Sequence, residues 1–260
     1  MVATGVVGGK TRIHVNHIGF DAPWAWLERG LKDFARAPAT SLAYGSLWLS
    51  VSLILTAGLW AVGLGAWIMP LGGGFLILGP LLAVGLYDAS RRLERGEPVS
   101  IEATAGAARK NFLQLAFMGF ALAFLYLVWL RIAMLLYALF TDGEYYPFSD
   151  FVDHLLTTAN GLALLSVGTV IGGVIAFTAF MISAVSIPML LNESVDVATA
   201  VMTSVAAVRQ NPGPMLLWAW LIAAFVGLAM LTGFWGLAFV FPLIGHASWH
   251  AYRALVPSSG

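Results

Sequence analysis

Residues Gly72–Phe112 read GGGFLILGPLLAVGLYDASRRLERGEPVSIEATAGAARKNF. An apolar helix carrying Gly79-Pro80 runs out into a polar, basic arm, and a new apolar run starts at Phe112. The same arrangement recurs three times along the chain, with the third copy split between the two ends. No Asp, Glu, Lys or Arg occurs from 37 through 87. One membrane crossing takes roughly 20 apolar residues. The run therefore holds two crossings, about 41–66 and 71–88. Met69-Pro70-Leu71-Gly72-Gly73-Gly74 supplies a turn between them, because glycine and proline both favour one there.

Composition sets the class. Of 260 residues, 60% are hydrophobic and 10% charged, and the mean hydropathy is +0.86. A soluble domain is nearer 45–50% apolar and about 25% charged, so lipid is the solvent for much of this surface. Formal net charge is zero, which argues against a nucleic-acid partner. There is no cysteine, so disulfides, thiolate metal sites and cysteine nucleophiles are excluded. Residues 1–23 lack the basic–apolar–small pattern of a signal peptide, so the first apolar span is expected to serve as its own insertion signal.

Working outward, further spans are expected at about 112–140, 160–188, 214–231 and 234–250, the last pair joined near Thr232-Gly233. The expected fold is an all-α polytopic membrane protein. It has six transmembrane helices in three hairpins, a pseudo-three-fold repeat, and cytoplasmic amphipathic arm helices. Residues 1–22 form a flexible tail and 23–256 a single domain. Each returning helix carries a proline, Pro80, Pro188 or Pro242, which bends a helix and frees a carbonyl that must find another donor in lipid. Each arm closes alike before the next span: Phe34-Ala35-Arg36-Ala37-Pro38, Arg109-Lys110-Asn111-Phe112 and Arg209-Gln210-Asn211-Pro212. The second arm, 192–211, is helical in pattern, with Val197, Val201, Val205 and Val208 near one face. A short helix entering the fourth span takes Ser149 or Asp150 as its cap.

Twelve of the thirteen basic residues decide the orientation: Lys10, Arg12, Arg29, Lys32, Arg36, Arg91, Arg92, Arg95, Arg109, Lys110, Arg209 and Arg253. With six spans they all fall on one side. The positive-inside rule puts both termini and both arms in the cytoplasm. Between Pro23 and Ala37, Trp24, Leu27, Leu31 and Phe34 keep helical spacing. That helix either lies in the membrane interface or packs on the protein.

The stretches PWAWLERGLKDFARAPATSLAYG (23–45), GFLILGPLLAVGLYDASRRLERGEPVS (74–100) and FPLIGHASWHAYRALV (241–256) resemble an uncharacterised family of bacterial integral membrane proteins with about six helices. Some of its members are labelled as cytochrome c oxidase subunits. The resemblance implies the bacterial inner membrane and supplies no activity, cofactor or functional residue. A haem–copper catalytic subunit needs several histidines inside its spans. This chain has five in all, and His14 and His17 are in the tail.

Candidate chemistry is sparse. His246 and His250 share a helix face and could bind a metal with His14 and His17, or simply sit at the interface bonded to backbone or headgroups. Arg131 is the one basic residue inside a span. It either snorkels to the far interface or pairs with an acid of the 142–153 loop. Arg91 and Arg92 can bind anionic lipid and can also pair with Asp88. Gly168 and Gly172, with Ala176, allow close helix contact within or between chains. Gly72-Gly73-Gly74 is not followed by GK[ST] and is no phosphate loop. No catalytic residue, cofactor ligand or metal ligand is assigned. The expected role is non-enzymatic: a structural or accessory protein binding membrane lipids or a membrane complex, a respiratory one by family label alone. The alternatives are a small transporter or channel for an uncharged or lipophilic solute, and a histidine-based metal or haem redox protein.

Overall fold

The computed structural model describes residues 14–257. Among these, all regular structure is helical: α1 Ala22–Arg36, α2 Pro38–Ala61, α3 Ile68–Gly72, α4 Gly74–Leu82, α5 Val84–Glu94, α6 Ile101–Ala105, α7 Phe112–Phe140, α8 Phe148–Thr157, α9 Ala159–Ser183, α10 Ser186–Asn192, α11 Val197–Gln210, α12 Pro212–Leu231 and α13 Leu237–Leu255. Runs of Leu, Ala, Val and Phe with no strongly polar face build α2, α7, α9 and α12. A helix meets its own backbone hydrogen bonds, which is what hydrocarbon demands.

Four helices are long and apolar enough to cross a membrane: Pro38–Ala61, Phe112–Phe140, Ala159–Asn192 and Pro212–Leu231. A fifth candidate is the bent pair Gly65–Gly72 and Gly74–Leu82, which turns through 51°. Two of the six expected spans therefore differ. The second is not one helix but three short pieces, broken at Gly73 and again at Ala83. The sixth, α13, is diluted by His246, Ser248, His250 and Arg253, and buries most of its inner half against other helices. The first turn also lies elsewhere. α2 stops at Ala61, the chain reverses through Gly63 at φ 75°, and Met69–Gly72 is already helical. Only a residue free of a Cβ takes that φ readily.

Two ends of the bundle are distinct. At one, the first and last described segments meet: the Asn16 amide donates to the Leu255 carbonyl at 2.8 Å. The start of α12 joins them through Asn211, which accepts from the Ile18 amide at 2.9 Å and donates to the Asn16 carbonyl at 3.0 Å. Asn111 donates to the Leu190 carbonyl there as well. The expected flexible tail is thus held from Asn16 to Ile18, while residues 1–13 lie outside the described residues. At the opposite end, Ala66, Leu136, Phe151, Leu155 and Leu164 form one small core, and Leu49, Ala229, Phe234 and Leu237 another. The turn at Thr232-Gly233 is present, with Gly233 and Phe234 both at positive φ.

Several local expectations change. The face of α1 turned to the protein is Trp26, Gly30 and Asp33, while Trp24 and Leu31 of the expected stripe point outward. In α11 the buried face is Ala200, Thr203, Ser204, Ala207 and Val208. Small residues there let neighbouring helices close in, so bulk was the wrong guide. α8 follows Pro147, and Ser149 bonds to Asp150 instead of capping.

α13 is held at close range on two sides. A Cβ on Gly30 of α1 would stand 2.7 Å from the Ala247 amide nitrogen, and one on Gly45 of α2 would run into the Ala238 carbonyl. Overpacking a fitted contact costs about 1–3 kcal/mol. Gly45→Leu is therefore expected to lower the unfolding midpoint in detergent, whereas Gly58→Ala, with nothing within 4 Å, leaves it unchanged or slightly raised.

Candidate functional site

Polar side chains concentrate where α1, α2, α5, α10 and α13 meet. His246 is fully buried. Its Nε2 lies 2.9 Å from the Ser41 hydroxyl of α2, and its Nδ1 2.8 Å from the Ser90 hydroxyl of α5. Ser41 already donates its one hydrogen to the Ala37 carbonyl. Nε2 must then be the donor to Ser41, which leaves Nδ1 of a neutral ring to accept from Ser90. One turn further on, His250 Nε2 is 2.8 Å from the buried carboxylate of Asp33 on α1. Burial pushes the Asp33 carboxyl up, but hydrogen bonds from His250 and Ser90 outweigh it and hold the group below its ordinary value of 3.8. Ser90 has one hydrogen and two claimants, Nδ1 of His246 and Asp33.

Beside this lies a second cluster. Asp88 is completely buried and accepts from both Arg91 and Arg92 at helical spacing. Arg91 also donates to the Leu191 carbonyl at 3.0 Å, which ties α5 to α10. Arg92 turns its other side toward Glu97. Glu94 accepts from the Trp249 indole at 3.0 Å and from Arg253 at 3.1 Å. Asn192 of α10 donates to the Tyr252 hydroxyl. Arg91 and Arg92, expected as candidates for lipid binding as well as for pairing with Asp88, are thus engaged inside the protein.

The helix breaks are closed by side chains. Between α9 and α10 the Ser204 hydroxyl of α11 enters the helical ladder, donating to the Met181 carbonyl at 2.9 Å and accepting from the Val185 amide at 3.1 Å. At the α3–α4 bend the carbonyls of Pro70 and Leu71 accept from Trp129 Nε1 at 2.9 Å and the Tyr126 hydroxyl at 3.2 Å, both from α7. A Cβ on Gly73 would stand 2.9 Å from Trp129, and one on Gly74 3.1 Å from Tyr126. The glycines read as a turn signal serve instead as the floor on which two aromatic donors rest.

His14 and His17 are exposed, and both ring nitrogens of His246 are occupied by serines. No group of three or more His, Cys, Asp or Glu side chains among the described residues could hold a metal ion. Asp33, the partner that orients His250, was missed because its companion lies more than two hundred positions away. Arg131 is exposed on α7 and makes no hydrogen bond or ion pair among the described residues. In the loop it was expected to reach, Glu144 accepts from Tyr146 and Asp150 from Ser149. Gly172 of the small-residue line lets the Trp129 ring approach, while Gly168 has nothing near it.

Residues 68–192 match the family described as "Predicted integral membrane protein (DUF2189)". Over that stretch the chain is similar to this family. The match covers both breaks, Asp88 with Arg91 and Arg92, and Arg131, and omits α1, α2, α11, α12 and α13. No curated protein and no solved structure matches the chain.

Removing one partner of a buried ion pair costs about 3–5 kcal/mol, because the remaining charge stays buried. Asp88→Ala strands Arg91, whose side chain is 11% exposed. A large drop in thermal midpoint in detergent is expected for it. Arg95→Ala, which removes only a 3.3 Å bond to Asn192 at the surface, should shift the midpoint by much less.

Proposed function

We propose that this chain is a non-enzymatic structural or accessory protein of the bacterial inner membrane, binding membrane lipids or a partner membrane complex through its outer surface. One observation carries the reading: where α1, α2, α5, α10 and α13 meet, the buried side chains that could do chemistry are spent on one another across helices. His246 joins α2 to α5, Asp33 joins α1 to α13, and Asp88 with Arg91 joins α5 to α10. Such bonds fix the arrangement of helices and occupy the groups that make them.

In this reading the chain crosses six times in three hairpins, with both termini and the arms in the cytoplasm. The broken run from α3 through α5 is the second crossing, and α13 the sixth. The presence of Asn16, Leu255, Asn111 and Asn211 at one end supports the placement. The repeat is supported by backbone geometry. The residues that close the three arms share one conformation: Ala37 at φ −129°, ψ 57°, Asn111 at −133°, 39°, and Asn211 at −128°, 55°. Reporter fusions at Gly96 and at Gly143 should fall on opposite sides of the membrane, and gentle extraction should recover a reproducible set of lipids or proteins. Same-side reporters would remove the topology, and bare protein from native membrane would remove the accessory role.

A second reading is a small transporter or channel for an uncharged or lipophilic solute. The bent pair α3–α4 favours it, since interrupted helices inside a membrane often border a pathway. The chain has no cysteine, so Leu71→Cys introduces a single thiol at the bend. Modification of this thiol by a membrane-impermeant reagent in intact vesicles supports a pathway. Complete protection, with labelling restored in detergent, excludes one.

A further inference from the structure

We infer that the outward face of α7 holds a phospholipid, with Arg131 as the ligand of its phosphate. This rests on the membrane placement proposed above and gives its lipid partner a position and a chemistry.

Leu113, Phe117, Phe120, Phe124, Leu127, Arg131 and Met134 recur at alternating spacings of four and three, and all are exposed. That spacing keeps one stripe of a helix facing one way. Six members are apolar. Arg131 alone is charged, and it has no partner among the described residues. A guanidinium in an apolar stripe facing lipid is costly until an anion meets it.

The depth of Arg131 follows from α8. Asp150 and Asp153 of this helix are exposed, while Phe151 and Leu155 are buried. An amphipathic helix of that kind lies at the membrane boundary. The Phe151 ring packs against Tyr137 of α7 at 5.3 Å. Trp60, Tyr145 and Trp235 are exposed at the same end, as an interfacial aromatic belt would be. The boundary thus crosses α7 near Tyr137, and Arg131 lies six residues deeper, about 9 Å at 1.5 Å per residue. Side chains leave a helix tilted toward its N-terminus, here away from that boundary. A phosphate drawn to the guanidinium supplies the missing charge, and two parallel hydrogen bonds suit the pair.

The stripe also selects what carries the phosphate. From Arg131 toward the middle of the membrane run Leu127, Phe124, Phe120 and Phe117, a track for an acyl chain. A free phosphate would use the arginine and leave the track idle. The ligand class is therefore an acidic phospholipid in the leaflet away from the basic end of the protein.

The test uses the full chain, delipidated in detergent, with binding followed by native mass spectrometry and by the unfolding midpoint. Phosphatidylglycerol is expected to bind and to raise the midpoint more than phosphatidylcholine. Arg131→Gln should weaken phosphatidylglycerol binding on the order of ten- to a hundredfold, the size of one charge-assisted contact. Arg131→Lys should fall between, since it keeps charge but loses the fork. Arg109→Gln, an exposed arginine at the other end, should bind as the wild type does. Equal binding by wild type and Arg131→Gln overturns the assignment. If Arg131→Gln fails to fold, the absence of any preference for phosphatidylglycerol in the wild type overturns it. A midpoint shift with glycerol 3-phosphate as large as with the lipid would assign the site to a soluble anion instead. Failure of the lipid test with opposite-side reporters at Gly96 and Gly143 removes this site and leaves the topology standing.

Discussion

A carbonyl or amide that loses its helical partner inside hydrocarbon has no water to turn to. Much of this structure follows from that constraint. The Ser204 hydroxyl occupies the gap left between Met181 and Val185, and so couples α11 to a helix break it does not border in sequence. Trp129 and Tyr126 do the same for Pro70 and Leu71. A bend in one helix becomes, through these donors, a contact between two. The glycines beside the bend are required for a related reason, since the aromatic donors cannot come close over a methyl group.

The same logic applied to side chains explains the role of α13. Too polar for lipid on all sides, it is enclosed by α1, α2, α5 and α10, and its polar groups find partners on them. His246 can be neutral and still satisfied at both nitrogens. Hydrogen bonding, above all from His250, offsets the cost of burying the Asp33 carboxylate. Asp88 is paired with two arginines. A buried ion pair is weak support for stability in itself, but losing either half is costly. The layer therefore specifies which helices meet more than it strengthens their meeting.

The long apolar runs were legible because length and absence of charge suffice to define them, as α7 at Phe112–Phe140 illustrates. The prolines did not locate the breaks: Pro80 and Pro242 lie inside helices, and the carbonyls that receive outside donors are those of Met181, Pro70 and Leu71. Their donors Ser204, Trp129 and Tyr126 carry no sequence signal that distinguishes them from other serines and aromatics. The stripe Trp24, Leu27, Leu31 and Phe34 was a sound helical pattern whose neighbour the sequence left open, and Trp24 and Leu31 of it face outward. The protein-facing side is built from Trp26, Gly30 and Asp33, of which only the tryptophan looks like core. The pairing of Asp33 with His250 joins residues 217 positions apart, and no local pattern can register that.

That separation has a consequence for biogenesis. α1 and α2 leave the ribosome well before the helix carrying Ala238, His246, Ala247 and His250 against them. Contacts between remote segments are slow to form because the intervening chain must be closed into a loop first. Until α13 is made, Ser41, Gly45 and Asp33 lack the helix that covers them. Any chaperone or insertase that shields nascent helices would find a long-lived client surface on α1 and α2.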